Sequence, residues 1–361
     1  MIFRKKINKV EIKKYDVPIM NILFRTAGGS VKNTELGTGH IFRTINLAKK
    51  FKNHKIFFAV EDYGGAKKIL RGKCFEKIYF LNLNPTIEQD LENTLKIINK
   101  NKIDCVVIDK INTKKTYLRK LQKKIFTVYV TDLQNYDYPA DLVVNGFIGF
   151  KNKITLNKYN AKCLIGPSFQ ILSDEYEKKI RVKKNTDLLI TFGGYDANNL
   201  IGKLCKFLPI WTSKLKIKII LGPITKKPSC LNKIEKEAQK KLKVVKFSKN
   251  FRKEILQSKF GLCSGGLTTY EFALSKVPFG VIAQYKHQEI TAKQWEKLAY
   301  GKFLGRNDNQ LEEKINQYVQ KISKTKIQFN PKKILIDGQG TERVKDEIIE
   351  LFLKSKKVNK N

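Results

Sequence analysis

Short, wholly apolar runs alternate with amphipathic stretches along this chain, and the alternation occurs twice. In the first half the apolar runs fall at 22–24, 56–60, 78–80, 105–108, 127–130 and 142–144. Segments with apolar residues at helical spacing lie between them, at 41–51, 66–70, 87–99 and 115–123. Strands that are apolar on both sides and separated by helices predict a parallel sheet covered on both faces. The rhythm breaks at Gly166-Pro167 and the charged run 174–184, then restarts. The second set of strands is predicted at 188–192, 217–221, 244–247, 260–263 and 279–282, with helices near 198–208, 231–241, 249–257, 269–274 and 291–299. The pattern therefore predicts an α/β chain of two doubly wound, Rossmann-like domains facing across a cleft. The expected boundaries are a basic N-terminal extension at 1–18, a first domain at 19–166, a linker at 167–185, a second domain at 186–335, and a C-terminal helix and tail at 336–361, the last part of it mobile. In such folds ligands bind at the carboxyl ends of the strands. No internal sequence repeat accompanies the pairing.

A chain of 361 residues exceeds the size at which one hydrophobic core stops growing, which agrees with two domains. The formal charge of +39 raises the question of nucleic acid, yet only nine of the 72 basic residues are arginine and the lysines are spread throughout. Nucleic-acid readers concentrate their basic residues and use arginine for bidentate contacts, so no nucleic-acid partner is expected. Diffuse positive charge still attracts phosphorylated substrates and, weakly, anionic membrane surfaces, in a salt-dependent way. The six cysteines are scattered without a C-x-x-C pair and read as reduced core residues of a cytoplasmic protein. The N-terminal segment lacks the apolar stretch of a signal peptide, and no window reaches the length of a membrane span.

Three glycine-rich corners follow predicted strands. The first, Gly37-Thr38-Gly39-His40-Ile41-Phe42-Arg43, delivers a histidine to the start of a helix, where backbone N–H groups and the helix dipole favour negative charge. An imidazole there can serve as a general base near neutral pH. Arg43, one turn further, can orient a phosphate or pair with a carboxylate; a plain tight turn explains the glycines equally well. The second corner runs from Thr191 to Asn199, where Gly193 and Gly194 permit close backbone approach to a ligand, and Asp196 or Asn198 can cap the next helix. The third is Ser264-Gly265-Gly266-Leu267-Thr268-Thr269-Tyr270-Glu271, whose amides suit a diphosphate and whose Glu271 can accept from a ribose diol. His287 and Gln288 follow another strand and lie on the same rim, or are solvated loop side chains. Asp109 and Asp132, at strand ends of the first domain, can assist His40, bind sugar hydroxyls or cap helices.

Other chemistries are excluded by spacing. Three isolated histidines and scattered cysteines offer no zinc pattern, so no metal or cofactor is expected. There is no G-x-S-x-G elbow, no phosphate-binding G-x-x-x-x-G-K-[ST] loop and no G-x-G-x-x-G after the first strand.

In this order the corners resemble the UDP-2,4-diacetamido-2,4,6-trideoxy-β-L-altropyranose hydrolases of pseudaminic acid biosynthesis and the related spore-coat polysaccharide proteins. The resemblance rests on Leu23-Phe24-Arg25-Thr26 leading to the Gly37–Arg43 corner, Val107-Ile108-Asp109, the Thr191–Asp196 corner, Ser264-Gly265-Gly266 with Tyr270-Glu271, His287-Gln288, and the terminal Asp337-Gly338-Gln339-Gly340-Thr341-Glu342-Arg343. It implies a GT-B-type fold, like that of the peptidoglycan N-acetylglucosaminyltransferase, and metal-independent hydrolysis of a UDP-linked sugar. It also implies His40 as the base that activates water, with Gly39, Arg43, Asp109 and Asp132 on the sugar side. Gly193, Gly194, Ser264, Gly265, Gly266, Glu271, His287 and Gln288 would then hold the UDP. Two departures stand out: Asp109-Lys110-Ile111 lacks an aromatic residue common after the family's strand-end aspartate, and the insert at 28–36 reshapes the mouth beside His40. A glycosyltransferase in which His40 activates an acceptor hydroxyl is the alternative. A non-catalytic sugar-nucleotide or nucleic-acid binder is a third.

Overall fold

The computed structural model describes residues 17–29, 37–150, 154–178, 180–306, 308–324, 331 and 336–358. Its front lobe is a parallel sheet of β1 (Asn21–Gly29), β2 (Lys55–Tyr63), β3 (Lys77–Leu81), β4 (Cys105–Asp109), β5 (Phe126–Thr131), β6 (Leu142–Asn145) and β7 (Lys162–Ile165), in the order β3-β2-β1-β4-β5-β6-β7. Helices α1 (Gly39–Ala48), α2 (Ala66–Leu70), α3 (Ile87–Lys100) and α4 (Lys115–Gln122) connect the first five strands. The rear lobe repeats the plan with β8 (Thr186–Thr191), β9 (Ile217–Leu221), β10 (Leu242–Lys246), β11 (Ser258–Ser264), β12 (Phe279–Ala283) and β13 (Gly301–Arg306), ordered β10-β9-β8-β11-β12-β13. Its helices are α5 (Leu200–Leu204), α6 (Leu208–Lys214), α7 (Cys230–Glu237), α8 (Phe251–Gln257), α9 (Leu267–Leu274), α10 (Lys286–Lys297) and α11 (Leu311–Lys324). The last helix, α12 (Gly340–Val358), returns to the front lobe and buries Val344, Ile348 and Phe352 in its core.

The apolar runs became central strands because both faces of each sheet are covered. Phe24 and Phe58 stack at 5.3 Å on one face of the front sheet, while Leu23, Val106 and Ile108 pack on the other. Arg25 interrupts the apolar run of β1 yet is fully buried, and its guanidinium pairs with Asp90 at 2.8 Å and with Glu61. Lys110 joins the same cluster through Asp90 at 2.9 Å. Thr86 and Gln89 start α3 with reciprocal side-chain caps.

Several expectations needed correction. Strands β7 and β13 and helices α6 and α11 were not predicted, although α11 carries apolar residues at helical spacing. Strand β1 continues to Gly29, so Gly28 and Gly29 belong to the sheet, while 30–36 of the expected insert lie outside the described residues. The expected basic extension lies largely outside them too, at 1–16. Helix α12 persists to Val358, so most of the expected tail is helical, and 359–361 are outside. The cysteines are not all reduced: Cys205 and Cys230, 25 residues apart, form a disulfide with Cα atoms 6.3 Å apart. Folding brings the start of α7 against the turn after α5, a proximity that linear spacing does not reveal. Cys105, Cys163 and Cys263 are free and buried, and Cys74 is free and exposed.

The terminal motif at 337–343 fastens α12 to the linker. Arg343 bonds Asp337 at 2.8 Å and the Ser168 carbonyl at 2.9 Å, and the Thr341 hydroxyl donates to the Leu172 carbonyl at 2.7 Å. Gly340 lies against the Gln170 backbone, with no room for a Cβ. No helix among the described residues is long and apolar enough to cross a membrane.

Candidate active site

A cleft of about 840 Å³ separates the carboxyl ends of the two sheets. Gly39, His40, Asp132, Gly193, Gly194, Ser264, Gly266, Glu271, His287 and Gln288 line it, whereas Arg43, Asp109 and Gly265 do not. The lobes meet closely beside His40. Gly39 comes within 3.9 Å of Leu267 for an added Cβ, and a Cβ on Gly194 would overlap the Thr38 hydroxyl. Helices α1, α9 and α10 all begin at the cleft, none with a side-chain cap, so three positive dipole ends point into one space.

Register places the chemistry of the front lobe. Thr26 pairs with Asp109 across β1 and β4, which sets Asp109 beneath the first turn of α1. There the His40 Nδ1 lies 2.7 Å from Asp109 Oδ1, and Arg43 grips the same carboxylate through Nε and Nη2, both at 2.6 Å. A third Arg43 bond, Nη1 to Asp132 Oδ2 at 3.0 Å, extends the array to the end of β5. Arg43 Nη2 is also 3.1 Å from His40 Nδ1. The shorter contact to a carboxylate decides the tautomer: Nδ1–H donates to Asp109, which leaves Nε2 as the ring's acceptor on the cleft side.

Burial alone would push the Asp109 carboxyl up, but Arg43 and then His40 reverse the effect and hold it below the usual carboxylate range. Asp132, whose side chain is 42% exposed in the cleft, behaves alike: loss of bulk water raises it, while Arg43, His40 and, from the opposite lobe, His287 bring it down to about 2. The carboxylate of Asp132 thus feels imidazoles from both lobes. Of the roles open to Asp109, its full burial with both oxygens engaged by His40 and Arg43 fits the one that assists His40. Arg43 is likewise sequestered from ligands by its two carboxylates.

On the rear side, Gly193 adopts a φ of 77° and would bring a Cβ to 3.5 Å from the Ser264 Oγ, so two glycine corners adjoin. Asp196 caps α5, accepting from the Leu200 and Ile201 amides at 2.8 Å. Gly265 is a packing glycine: a Cβ there would press on Gln288. Gln288 spends its carbonyl on the Gln284 amide at 2.9 Å. Gln284, not singled out by sequence, binds the corners together, donating to the Phe192 carbonyl at 3.0 Å and accepting from Ala197 at 2.8 Å. Thr38, Phe42 and Phe247 were also missed; the two phenylalanine rings stack at 6.4 Å across the lobes. Burial, reinforced by Glu175, pushes the Glu271 carboxyl up to about 8. The third histidine, His54, accepts from the Met20 amide at 3.0 Å in the front lobe and is structural. Among the described residues no group of three or more His, Cys, Asp or Glu side chains is arranged to hold a metal ion.

Paired Rossmann-like lobes with the cleft between their strand ends define a GT-B-type α/β architecture. Solved structures agree: the chain superposes on the MurG crystal structure from Acinetobacter baumannii with a TM-score of 0.56, at 15% identity, covering 91% of this chain and 99% of that one. It also superposes on UDP-GlcNAc 2-epimerase from Methanocaldococcus jannaschii, with a TM-score of 0.53 and 14% identity, over 92% and 100% of the two chains. No protein-family model matches. In sequence, the chain is 27% identical to the uncharacterized protein MJ1062 of Methanocaldococcus jannaschii over 341 residues, which is 88% of this chain but 64% of that protein. It is 23% identical to the spore coat polysaccharide biosynthesis protein SpsG of Bacillus subtilis, covering 88% of this chain and 96% of the relative.

Proposed function

We propose that the chain is a metal-independent nucleotide-sugar hydrolase that cleaves a UDP-linked amino-deoxy sugar, of the 2,4-diacetamido-2,4,6-trideoxyhexose kind, to UDP and free sugar for surface-glycan or nonulosonic acid biosynthesis. The observation that carries this reading is the His40–Asp109 contact of 2.7 Å at the floor of a cleft whose opposite wall is built from helix N-termini. The polysaccharide biosynthesis protein of Bacillus subtilis and the UDP-GlcNAc 2-epimerase that this chain resembles support the substrate class.

His40 Nε2 takes a proton from water as the water oxygen bonds to the anomeric carbon, and the carbon–oxygen bond to the diphosphate breaks. Asp109 keeps Nδ1 protonated and stabilises the imidazolium that forms, work typically worth about 10²–10⁴ in rate. Charge then develops on the departing diphosphate, where the amide ends of α9 and α10 and the His287 side chain are directed. Glu271 accepts from the ribose once deprotonated. Lobe closure over the substrate excludes all but the attacking water.

A panel of UDP-, CMP- and GDP-sugars followed by NMR in metal-free buffer tests this. Release of UDP and free sugar without an added acceptor is expected. Release only when a sugar or lipid acceptor is present would replace hydrolysis by transfer, with the same base acting on a hydroxyl group.

A further inference from the structure

The strand order gives the cleft two flanks with different chemistry. His40, Asp132 and His287 lie toward β4–β5 of the front sheet and β12 of the rear sheet. On the other side of β1 and β8, α2 and the turn after it contribute Lys68, Arg71 and Lys73 to the same cleft, and the end of β10 with the loop that follows contributes Lys246 and Lys249. Between the flanks sit the glycine corners and the start of α9.

Arg71 lines the cleft with the four lysines and, unlike Arg25, Arg43, Arg306 and Arg343, is not engaged by a carboxylate. Among the described residues none of the five forms an ion pair; Lys68 donates only to the Pro223 carbonyl, at 3.3 Å. Lys49 also lines the cleft, near Glu175, and none of the cleft's three carboxylates, Asp132, Glu175 and Glu271, forms an ion pair with the five. Five like charges brought to one cleft from two lobes repel one another unless an anion sits between them. The lobes are nevertheless held together here, because Gly65 packs directly on Ile224. The nucleotide's own diphosphate does not need these side chains, since the helix amides at the centre of the cleft already face it on the reading above.

We infer that the flank between α2 and β10 binds a second phosphate group, distinct from the diphosphate of the nucleotide sugar. A guanidinium with several ammonium groups matches the three oxygens of a phosphate monoester. Such a group can come from a soluble phosphorylated ligand or from a lipid headgroup; in either case it bridges front and rear lobes and favours the closed cleft. The inference rests on the proposed nucleotide site, and its test separates the two.

The full chain, saturated with UDP, is titrated with inorganic phosphate and followed by calorimetry. One further binding event is expected. R71A/K73A and K246A/K249A should each weaken it by about tenfold or more, while UDP affinity stays within about twofold. K96A/K100A, on α3 and away from the cleft, should change neither. An equal loss in that control would assign the binding to diffuse charge, and a parallel loss of UDP affinity would assign the cations to the nucleotide; either overturns the second site, as does the absence of the event. Failure to bind UDP would instead remove the hydrolase reading, and the same variants titrated without UDP would still decide the second site. Parallel flotation with phosphatidylcholine vesicles, with and without phosphatidic acid, assigns the source. Arg71- and Lys73-dependent binding only with phosphatidic acid supports the headgroup, and phosphate binding without vesicle binding supports a soluble ligand.

Discussion

At the scale of single residues, Asp109 determines what His40 can do. It is the one buried carboxylate shared by the imidazole and Arg43, so removing its charge disturbs both. Asp109→Asn should lower kcat by about 10³ with little change in KM, because the amide no longer holds the Nδ1–H tautomer. It should also cost about 3 kcal/mol of stability by leaving a buried guanidinium with only Asp132; steady-state kinetics and denaturant unfolding measure the two effects. Glu271 gives a pH signature of opposite sign. Its carboxyl titrates near 8 when folded against 4.5 in the unfolded chain, so between those values the native state holds the extra proton. Stability contributed at this site is therefore lost as pH rises through that window. Urea midpoints of the wild type should decline from pH 5 to 8 relative to Glu271→Gln, in which the decline flattens; parallel profiles would contradict the assignment.

Single elements were legible to different degrees. A glycine corner after an apolar strand is a local pattern, so the starts of α1 and α9 could be placed from sequence. Partnering His40 is only one of several roles open to Asp109 and Asp132 from sequence, since Asp109 is 69 residues away and reaches the imidazole only through the pairing of β1 with β4. Strands β7 and β13 escaped because Lys162 and the glycines of 301–306 dilute the apolar run. The cations of the α2–β10 flank were invisible for another reason: lysine is so common here that no local run distinguishes them. Glycine 194 shows what a corner contributes beyond turning the chain. Gly194→Ala would set a methyl into the Thr38 hydroxyl and hold the lobes apart. Its expected effect is a loss of about tenfold or more in kcat/KM with an unchanged melting temperature; an equal loss of melting temperature would point to misfolding instead.

For the whole molecule, the two-lobed plan followed from alternation repeated on either side of the linker, but the route of the chain did not. Helix α12 crosses back to cover the front sheet, and the terminal Asp337–Arg343 segment, read as part of a family pattern, turns out to pin that crossing to the linker. Deleting residues 340–361 strips Val344, Ile348 and Phe352 from the front core, each worth about 1.5–3 kcal/mol on burial. The sum rivals the stability of a typical domain. Hydrogen exchange should then show the front lobe unprotected and the rear lobe retained, whereas uniform protection would mean that α12 is dispensable.

The most direct test of the account is a comparison of His40→Ala with the wild type, measuring UDP affinity and acceptor-free hydrolysis of the nucleotide sugar on the same samples. Equal affinity with turnover reduced by about 10³ or more is the predicted result. Retained turnover in the variant, or loss of UDP binding along with it, would contradict a base on the front lobe acting on a diphosphate held by the rear.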